Sequence, residues 1–314
     1  MAVTTLQAPA RPRAARRPRP PGYASQMAFV ASGLIPILAL FALFAFAPVG
    51  IVLWLSLHKY NQLAPTAPFI GLRNYEFAFT TDPYFTNALI VTLKYALVAV
   101  PFNLLIALPI AIGLNQVTRL RAVFRSAFFL PTVASAVAVS LIWSYMYAPQ
   151  AGALNGLLAG FGLPQPSWLA DPSVALWAIL ITAVWQDLGY NILILLAGLQ
   201  TIPDDFYDAS KVDGASALNR FKDITIPLLS RTLLLVSVLT MISYLQQFTY
   251  VNVMPSGGPG GPIHSTETLV LYIYTKAFSN MQLGYASAIS VVLMAIILIV
   301  TLIQFRFLRT RWEY

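Results

Sequence analysis

The chain has 314 residues, of which 58% are hydrophobic and 10% charged; soluble domains average roughly 25% charged residues, so lipid is the expected solvent and no stretch reads as a separate soluble domain. The net charge of +8 is dispersed between apolar runs rather than gathered on one face, which argues for membrane-orientation signals over nucleic-acid binding. The lack of cysteine excludes disulfides, thiol catalysis and Cys-based metal sites, and His58 and His264 are too few for a His-rich one.

Residues 1-25 form an Arg- and Pro-rich segment, with Arg11, Arg13, Arg16, Arg17 and Arg19 among five prolines. The apolar run that follows is too long for a signal-peptide core and lacks a clear small-residue cleavage site. The expectation is a disordered basic tail followed by an uncleaved anchor.

A membrane helix needs roughly 20 mostly apolar residues. Six segments qualify: Phe29–Leu57, Ala88–Leu114, Ala122–Tyr147, Val174–Gln200, Ile226–Asn252 and Tyr285–Phe307. The first would extend about 40 Å as one helix, which predicts tilt or a bend at Pro36 or Pro48. Pro101, Pro109 and Pro131 also fall inside spans, where neighbouring helices can satisfy the freed carbonyls.

Fourteen Lys and Arg residues fall in the tail, the even-numbered connections and the C-terminus, including Arg119, Arg121, Arg125, Lys211, Arg220, Lys222, Arg306, Arg309 and Arg311. Three fall in the other connections: Lys59, Arg73 and Lys276. This asymmetry predicts cytoplasmic termini. The outer connections are rich in Gly and Pro, above all Gly257-Gly258-Pro259-Gly260-Gly261-Pro262, which marks turns. That cluster is no phosphate loop, because no Gly-Lys-Ser/Thr follows.

The fourth span carries Asp187 near its middle, with Trp185, Tyr190 and Asn191 nearby. An ionisable residue there is costly and is a functional candidate by default. The fifth carries Tyr244, Gln246, Gln247, Tyr250 and Asn252, and spacings of three would align Tyr244, Gln247 and Tyr250 on one helix. Aromatic rings pack on the C–H faces of sugars, while amides and carboxylates bind hydroxyls. These two patches are the candidate substrate pathway. The alternative is that they hydrogen-bond neighbouring helices. No nucleophile–base pair is visible, so catalysis by this chain is not expected.

Between these spans lies a polar run, residues 201-227. Thr201 is a candidate N-cap, with Asp204 and Asp205 beside the positive end of a helix dipole. A short helix over about 202–212 would be stopped by Gly214. A second, over about 215–223, would show Leu218 and Phe221. Two short helices around a glycine make a knob suited to a partner's groove.

At these residues the chain resembles the permease subunits of ATP-binding-cassette (ABC) importers. Their signature is Glu-Ala-Ala, three residues, Gly, nine residues, then Ile-x-Leu-Pro. Here it reads Asp208-Ala209-Ser210, Gly214 and Ile224-Thr225-Ile226-Pro227. Asp208 replaces the usual Glu and Ser210 the second Ala. Asp213-Gly214-Ala215 is similar to the carbohydrate-type branch, as are Trp185-Gln186, Leu196-Ala-Gly-Leu-Gln200, Ser265-Thr-Glu-Thr-Leu269, Gly284-Tyr-Ala-Ser-Ala288 and Phe69-Ile-Gly-Leu-Arg-Asn-Tyr75.

The resemblance implies an all-α membrane protein with six transmembrane helices and the type I ABC importer transmembrane domain. Residues 26-87 would form the first helix and outer loop, 88-308 the permease core, and 309-314 a cytoplasmic tail. It implies ATPase coupling through Asp208, Ala209, Ser210, Asp213, Gly214, Ala215, Phe221, Ile224 and Pro227. The substrate pathway would run past Trp185, Asp187, Tyr190, Asn191, Tyr244, Gln247, Tyr250 and Asn252. The implied partners are a second homologous permease, two ABC ATPase subunits holding ATP and Mg2+, an extracytoplasmic solute-binding protein and a sugar-like substrate. The chain itself would bind no cofactor, and its place would be a bacterial inner membrane. The competing reading is a secondary transporter driven by an ion gradient, with Asp187 as the ion site.

Overall fold

The computed structural model of the chain describes residues 23–63, 66–116 and 121–308. The basic tail up to Arg19, Arg119, and Arg309 and Arg311 with the C-terminal tail lie outside the described residues, as does the side chain of Arg121. Fourteen α-helices are described: α1 (Tyr23–Phe41), α2 (Ala47–Ser56), α3 (Arg73–Thr80), α4 (Pro83–Gln116), α5 (Arg121–Val133), α6 (Ala136–Met146), α7 (Ala153–Gly160), α8 (Ala175–Leu199), α9 (Asp204–Val212), α10 (Ala217–Arg220), α11 (Ile226–Leu245), α12 (Thr249–Val253), α13 (Leu269–Tyr274) and α14 (Leu283–Leu308). The chain divides into two compact units between Ile51 and Val52.

In the first unit, α1 passes through a π-helical turn, Ala42–Phe46, into α2. Both proline positions stay helical, so the irregularity falls between Pro36 and Pro48 rather than at either.

In the second unit, α8 is the central element. It packs against α4, α5 and α11, and α14 lies against α11. Burial follows from the sequence of α8: small residues face its neighbours. A side chain at Gly189 would run into the α5 backbone at Phe128 and Phe129, and one at Gly198 into Thr232 of α11. Close approach of this kind is how membrane helices associate, since lipid supplies little hydrophobic drive between them. One apolar cluster centres on Tyr95, Ile179, Tyr244 and Leu245. A second joins α4, α8 and α11 through Ala107, Leu195 and Leu229. A third, around Phe85, Leu269 and Ile289, ties α13 and α14 to the start of α4.

Among the described residues, five helices are long and apolar enough to cross a membrane, or six if a bent pair counts as one span. That pair is the expected third span. It breaks into α5 and α6, whose axes differ by 95°, because Ser135 is extended (φ −62°, ψ 131°). Pro131 has no amide to donate, and the carbonyls freed at the break need partners. Gln186 of α8 meets that need: its Nε2 donates to the Ala134 carbonyl at 2.8 Å. In return Thr132 Oγ1 donates to the Gln186 carbonyl at 2.8 Å.

The fifth span is also interrupted. The helix ends at Leu245 and resumes at Thr249 as α12. Tyr244, Gln247 and Tyr250 therefore do not share one helical face, and the expected register does not hold.

Candidate functional site

Two groups of residues carry the functional reading. The first is the polar run after α8. Thr201 does not cap α9: its hydroxyl donates back to the Gly198 carbonyl at 2.8 Å. The cap position is Pro203, and Asp204 and Asp205 occupy the first turn, with Lys211 in the last. These charges complement the helix dipole. The helix stops because Gly214 adopts φ +75°, a left-handed conformation that costs other residues about 1–2 kcal/mol. The Ala215 amide then donates to the Ser210 carbonyl at 2.9 Å, which satisfies one of the last helical acceptors.

Ser216 caps the next helix, accepting from the Asn219 amide at 3.2 Å. That helix is shorter than expected: α10 is one turn, and a π-helical turn, Phe221–Thr225, carries it without a break into α11. Arg220 Nη1 donates to the Ala215 carbonyl at 2.7 Å, and the Tyr207 and Thr225 hydroxyls lie 3.1 Å apart, so α9 is braced against the start of α11.

Asp208 and Lys211 pair at 2.8 Å on the outside. Ala209, Asp213, Phe206, Val212 and Leu218 are exposed, Ser210, Ala215, Phe221, Ile224 and Pro227 partly so. The structure thus brings the nine predicted coupling residues onto one compact projection. Beside it a cleft of about 650 Å³ is lined by Tyr207, Asp208, Arg220 and Phe221 with Asn115 and Gln116 at the end of α4.

The second group lies in the middle of the helices. Asn191 Nδ2 donates to Asn103 Oδ1 at 2.7 Å, and Asn103 Nδ2 donates to the Tyr244 hydroxyl at 3.1 Å. Thr240 Oγ1 donates to Asn191 Oδ1 at 3.3 Å. Gln247 Nε2 donates to the Tyr95 hydroxyl at 3.3 Å, and the Tyr250 hydroxyl donates to Gln186 Oε1.

Asn191, Tyr244, Gln247 and Tyr250 are all buried within the chain. Their polar atoms join α4, α8, α11 and α12. Trp185 and Tyr190 instead point outward, 40% and 48% exposed, and Trp185 packs edge-on against Trp143 at 5.4 Å. Asp187 is half-buried between these two sets. Asn252 lies on α12, half-buried.

Sequence reasoning missed Asn103, the hub of the network. Its signal was present: a lone amide in an otherwise apolar stretch of α4. It also missed Tyr207 and Arg220, which brace the projection.

Comparison with known proteins agrees with this picture. The description of a binding-protein-dependent transport system inner membrane component matches residues 103–313. The probable ABC transporter permease protein YesP of Bacillus subtilis (strain 168) is 38% identical over 274 residues, spanning 86% of this chain and 87% of that protein. The trehalose/maltose transport system permease protein MalF of Thermococcus litoralis is 33% identical over 88% of this chain and 92% of its own length. The sn-glycerol-3-phosphate transport system permease protein UgpA of Agrobacterium fabrum is 31% identical, over 89% and 94%.

Among solved structures, a chain of a bacterial ABC transporter that imports the acidic polysaccharide alginate superposes with a TM-score of 0.79 at 20% identity, covering 92% of this chain and 98% of that one. At that identity the likeness concerns the fold. With the family description spanning most of the chain and several permeases above 30% identity, the chain belongs to the binding-protein-dependent inner-membrane components of transport systems, the permease subunits of ABC importers.

Proposed function

We propose that this permease carries a sugar or sugar-like solute across a bacterial inner membrane, forming half of a pathway completed by a second, homologous permease. A solute-binding protein delivers the solute from outside. Two ATPase subunits, holding ATP and Mg2+, dock on the projection formed by residues 201-227, which faces the cytoplasm together with both termini. Nucleotide-driven closure draws the two projections together and turns the pathway from inward-facing to outward-facing.

The observation that carries this reading is the projection itself. Asp208-Ala209-Ser210, Gly214 and Ile224 to Pro227 keep the importer spacing and fold into two short helices around a left-handed glycine. The ion-gradient alternative gives no reason for an exposed, braced projection at this place. The solute class rests on the carbohydrate-type motifs and on the relatives' names.

The test is uptake into proteoliposomes holding the two permeases and the ATPases. Labelled disaccharides should accumulate only with ATP on the ATPase side and the binding protein on the other, and vanadate should stop them. Accumulation driven by a proton or sodium gradient without nucleotide would sink the proposal.

A further inference from the structure

Two of the spans are broken, and both breaks meet at one side chain of α8. The third span bends between α5 and α6; the fifth stops at Leu245 and resumes at Thr249 as α12. Gln186 is buried, 5% exposed. Its Nε2 donates to the Ala134 carbonyl at the bend at 2.8 Å, and its Oε1 accepts from the Tyr250 hydroxyl of α12. Chemistry fixes the orientation of this amide: a carbonyl can only accept, so the NH2 group must face Ala134, which leaves the oxygen for the tyrosine. Among the described residues, Gln186 is the one side chain hydrogen-bonded to both broken spans.

The packing differs on its two sides. Before Gln186 in α8, the Ala178 carbonyl accepts from the Tyr147 hydroxyl, just past the end of α6, at 3.0 Å. There α12 packs against α6, and Val139, Tyr147, Tyr250 and Val251 share an apolar cluster with Ala178 and Ile179. After Gln186, α5 rests on Gly189, where an added Cβ would meet the backbone of Phe128 and Phe129. The parts beyond the two breaks, α6 and α12, thus form one body on the first part of α8, and α5 lies on the second. Gln186 stands where these parts meet. Irregular backbone at membrane depth is tolerated only where protein buries it or where it lines a cavity, so each break depends on its polar partners, and this partner is shared.

From this arrangement we infer that Gln186 is a positioning residue for transport. It pins the bend of the third span to the break of the fifth, so that the two rearrange together when the pathway changes its facing. The Tyr250 hydroxyl is the other end of this link rather than a contact for solute. The inference rests on the importer reading and names a joint within it.

The lack of cysteine allows spin labels to be placed in pairs, in a complex whose partner subunits are cysteine-free. Leu130→Cys with Leu141→Cys spans the bend, and Leu235→Cys with Ser256→Cys spans the break in the fifth span; all four positions are exposed in the single chain. Distances are measured without nucleotide and in the vanadate-trapped state. Both should change between the states. In Tyr250→Phe, which deletes only the hydroxyl, at least one pair should keep its nucleotide-free distance in the trapped state. A parent complex in which one pair moves alone, or neither moves, overturns the inference, as does a Tyr250→Phe variant in which both still move.

A second readout is the labelled disaccharide that the parent complex accumulates, counted per ATP hydrolysed, a ratio that loss of folded complex leaves unmoved. Tyr250→Phe and Gln186→Met should each lower it by about three- to tenfold, with the half-saturating concentration unchanged. The double variant should fall no further than Gln186→Met alone, because both substitutions cut one link. Multiplied losses, an unchanged ratio, or a raised half-saturating concentration at full maximal rate would each overturn the joint. If Gln186→Met does not assemble, Tyr250→Phe and the label distances still decide. Vanadate-sensitive uptake by the parent complex separates the two claims: its presence with independently moving breaks removes the joint and leaves the importer, and its absence removes both.

Discussion

Asp82 Oδ2 accepts a hydrogen bond from the Tyr285 hydroxyl at 2.6 Å, joining residues 203 positions apart. The same oxygen accepts from Tyr272, while Oδ1 accepts from the Tyr84 amide at 3.0 Å and the Phe85 amide at 3.3 Å. One carboxylate thus caps α4 and fastens α13 and α14 to its start, with Lys276 over the rings of both tyrosines. Hydrogen bonds to a charged group contribute about 1.5–3 kcal/mol each, so Asp82→Ala should destabilise by about 3 kcal/mol or more. Tyr285→Phe should cost about half as much. Thermal unfolding of purified protein in detergent measures both, and an Asp82→Ala variant as stable as the parent would refute the clasp.

The same cluster makes a signed pH prediction. Burial alone would raise the Asp82 carboxyl, but Tyr272, Tyr285, the Phe85 amide and the Lys276 charge outweigh it and hold the group below its ordinary value. A depressed acid stabilises the fold above its unfolded value and loses that contribution as pH falls through the folded one. Glu267 runs the other way. Burial raises it, against the opposing pull of His264, whose Nδ1 lies 2.6 Å away. Its contribution is present below the ordinary value and is lost as pH rises through the raised one. Asp82→Asn should therefore flatten the acid limb of the stability curve, and Glu267→Gln should steepen it. Unfolding temperatures between about pH 3 and pH 7 read out both slopes, and parallel curves would contradict the assignment.

Gly214 separates conformation from contact. A Cβ added at this position would meet nothing within 4 Å, yet the glycine's φ is +75°. Within the chain, then, the penalty for a substitution is backbone strain alone. Asn adopts this conformation more readily than Val or Leu. Gly214→Asn should retain most ATP-dependent uptake if the turn is what matters, while Gly214→Leu should abolish it with membrane insertion intact. Equal loss in both would point to a partner surface that tolerates no side chain there.

Much of this arrangement was legible in the sequence because it depends on local rules. Apolar length fixed the spans, and the spacing from Asp208 to Pro227 placed the projection. Gly214 marked the helix stop because a left-handed residue is needed there. The break after Val133 was not read from the sequence: Pro131 was placed inside an unbroken span, and the sharp bend is held by Gln186, 52 residues further on, which takes up the Ala134 carbonyl. The Tyr244–Gln247–Tyr250 register failed for a related reason. The helix ends at Leu245, where the Gln247 carbonyl leaves the ladder and accepts from Thr268 at 2.7 Å. Asn103 was overlooked because an isolated amide acquires meaning only when Asn191 and Tyr244 arrive from other helices.

Gly189 tests the packing of the bent pair on α8. An added Cβ would meet Phe129 Cα at 2.8 Å and Thr132 Oγ1 at 2.7 Å, and backbone atoms cannot step aside as a flexible side chain can. Gly189→Ala should cost about 1–3 kcal/mol, the range for overpacking a close contact. It should also lengthen or break the Thr132 hydrogen bond to the Gln186 carbonyl. A Cys pair at exposed positions of α5 and α6 reports the bend angle through spin-label distances. An unchanged distance together with unchanged stability would show that α5 does not rest on Gly189.

The buried network and the outward aromatics should separate in a double measurement. Asn191→Ala removes a donor to Asn103 and an acceptor for Thr240 and leaves both partners buried. The cost of a lost interhelical hydrogen bond in a membrane is about 1–2 kcal/mol, so stability and uptake should fall together. Trp185→Ala removes a ring that is 40% exposed and packs on Trp143. Its effect on stability should be small, within about 1 kcal/mol. If the exposed side of α8 faces the solute, uptake should nonetheless drop several-fold, through a higher half-saturating concentration rather than a lower maximal rate, because an aromatic platform binds the solute in the resting and moving states alike. A Trp185→Phe variant should recover most of the loss. Uptake unaffected by Trp185→Ala, with Asn191→Ala still impaired, would assign this region to holding helices together and move the solute's path to another face.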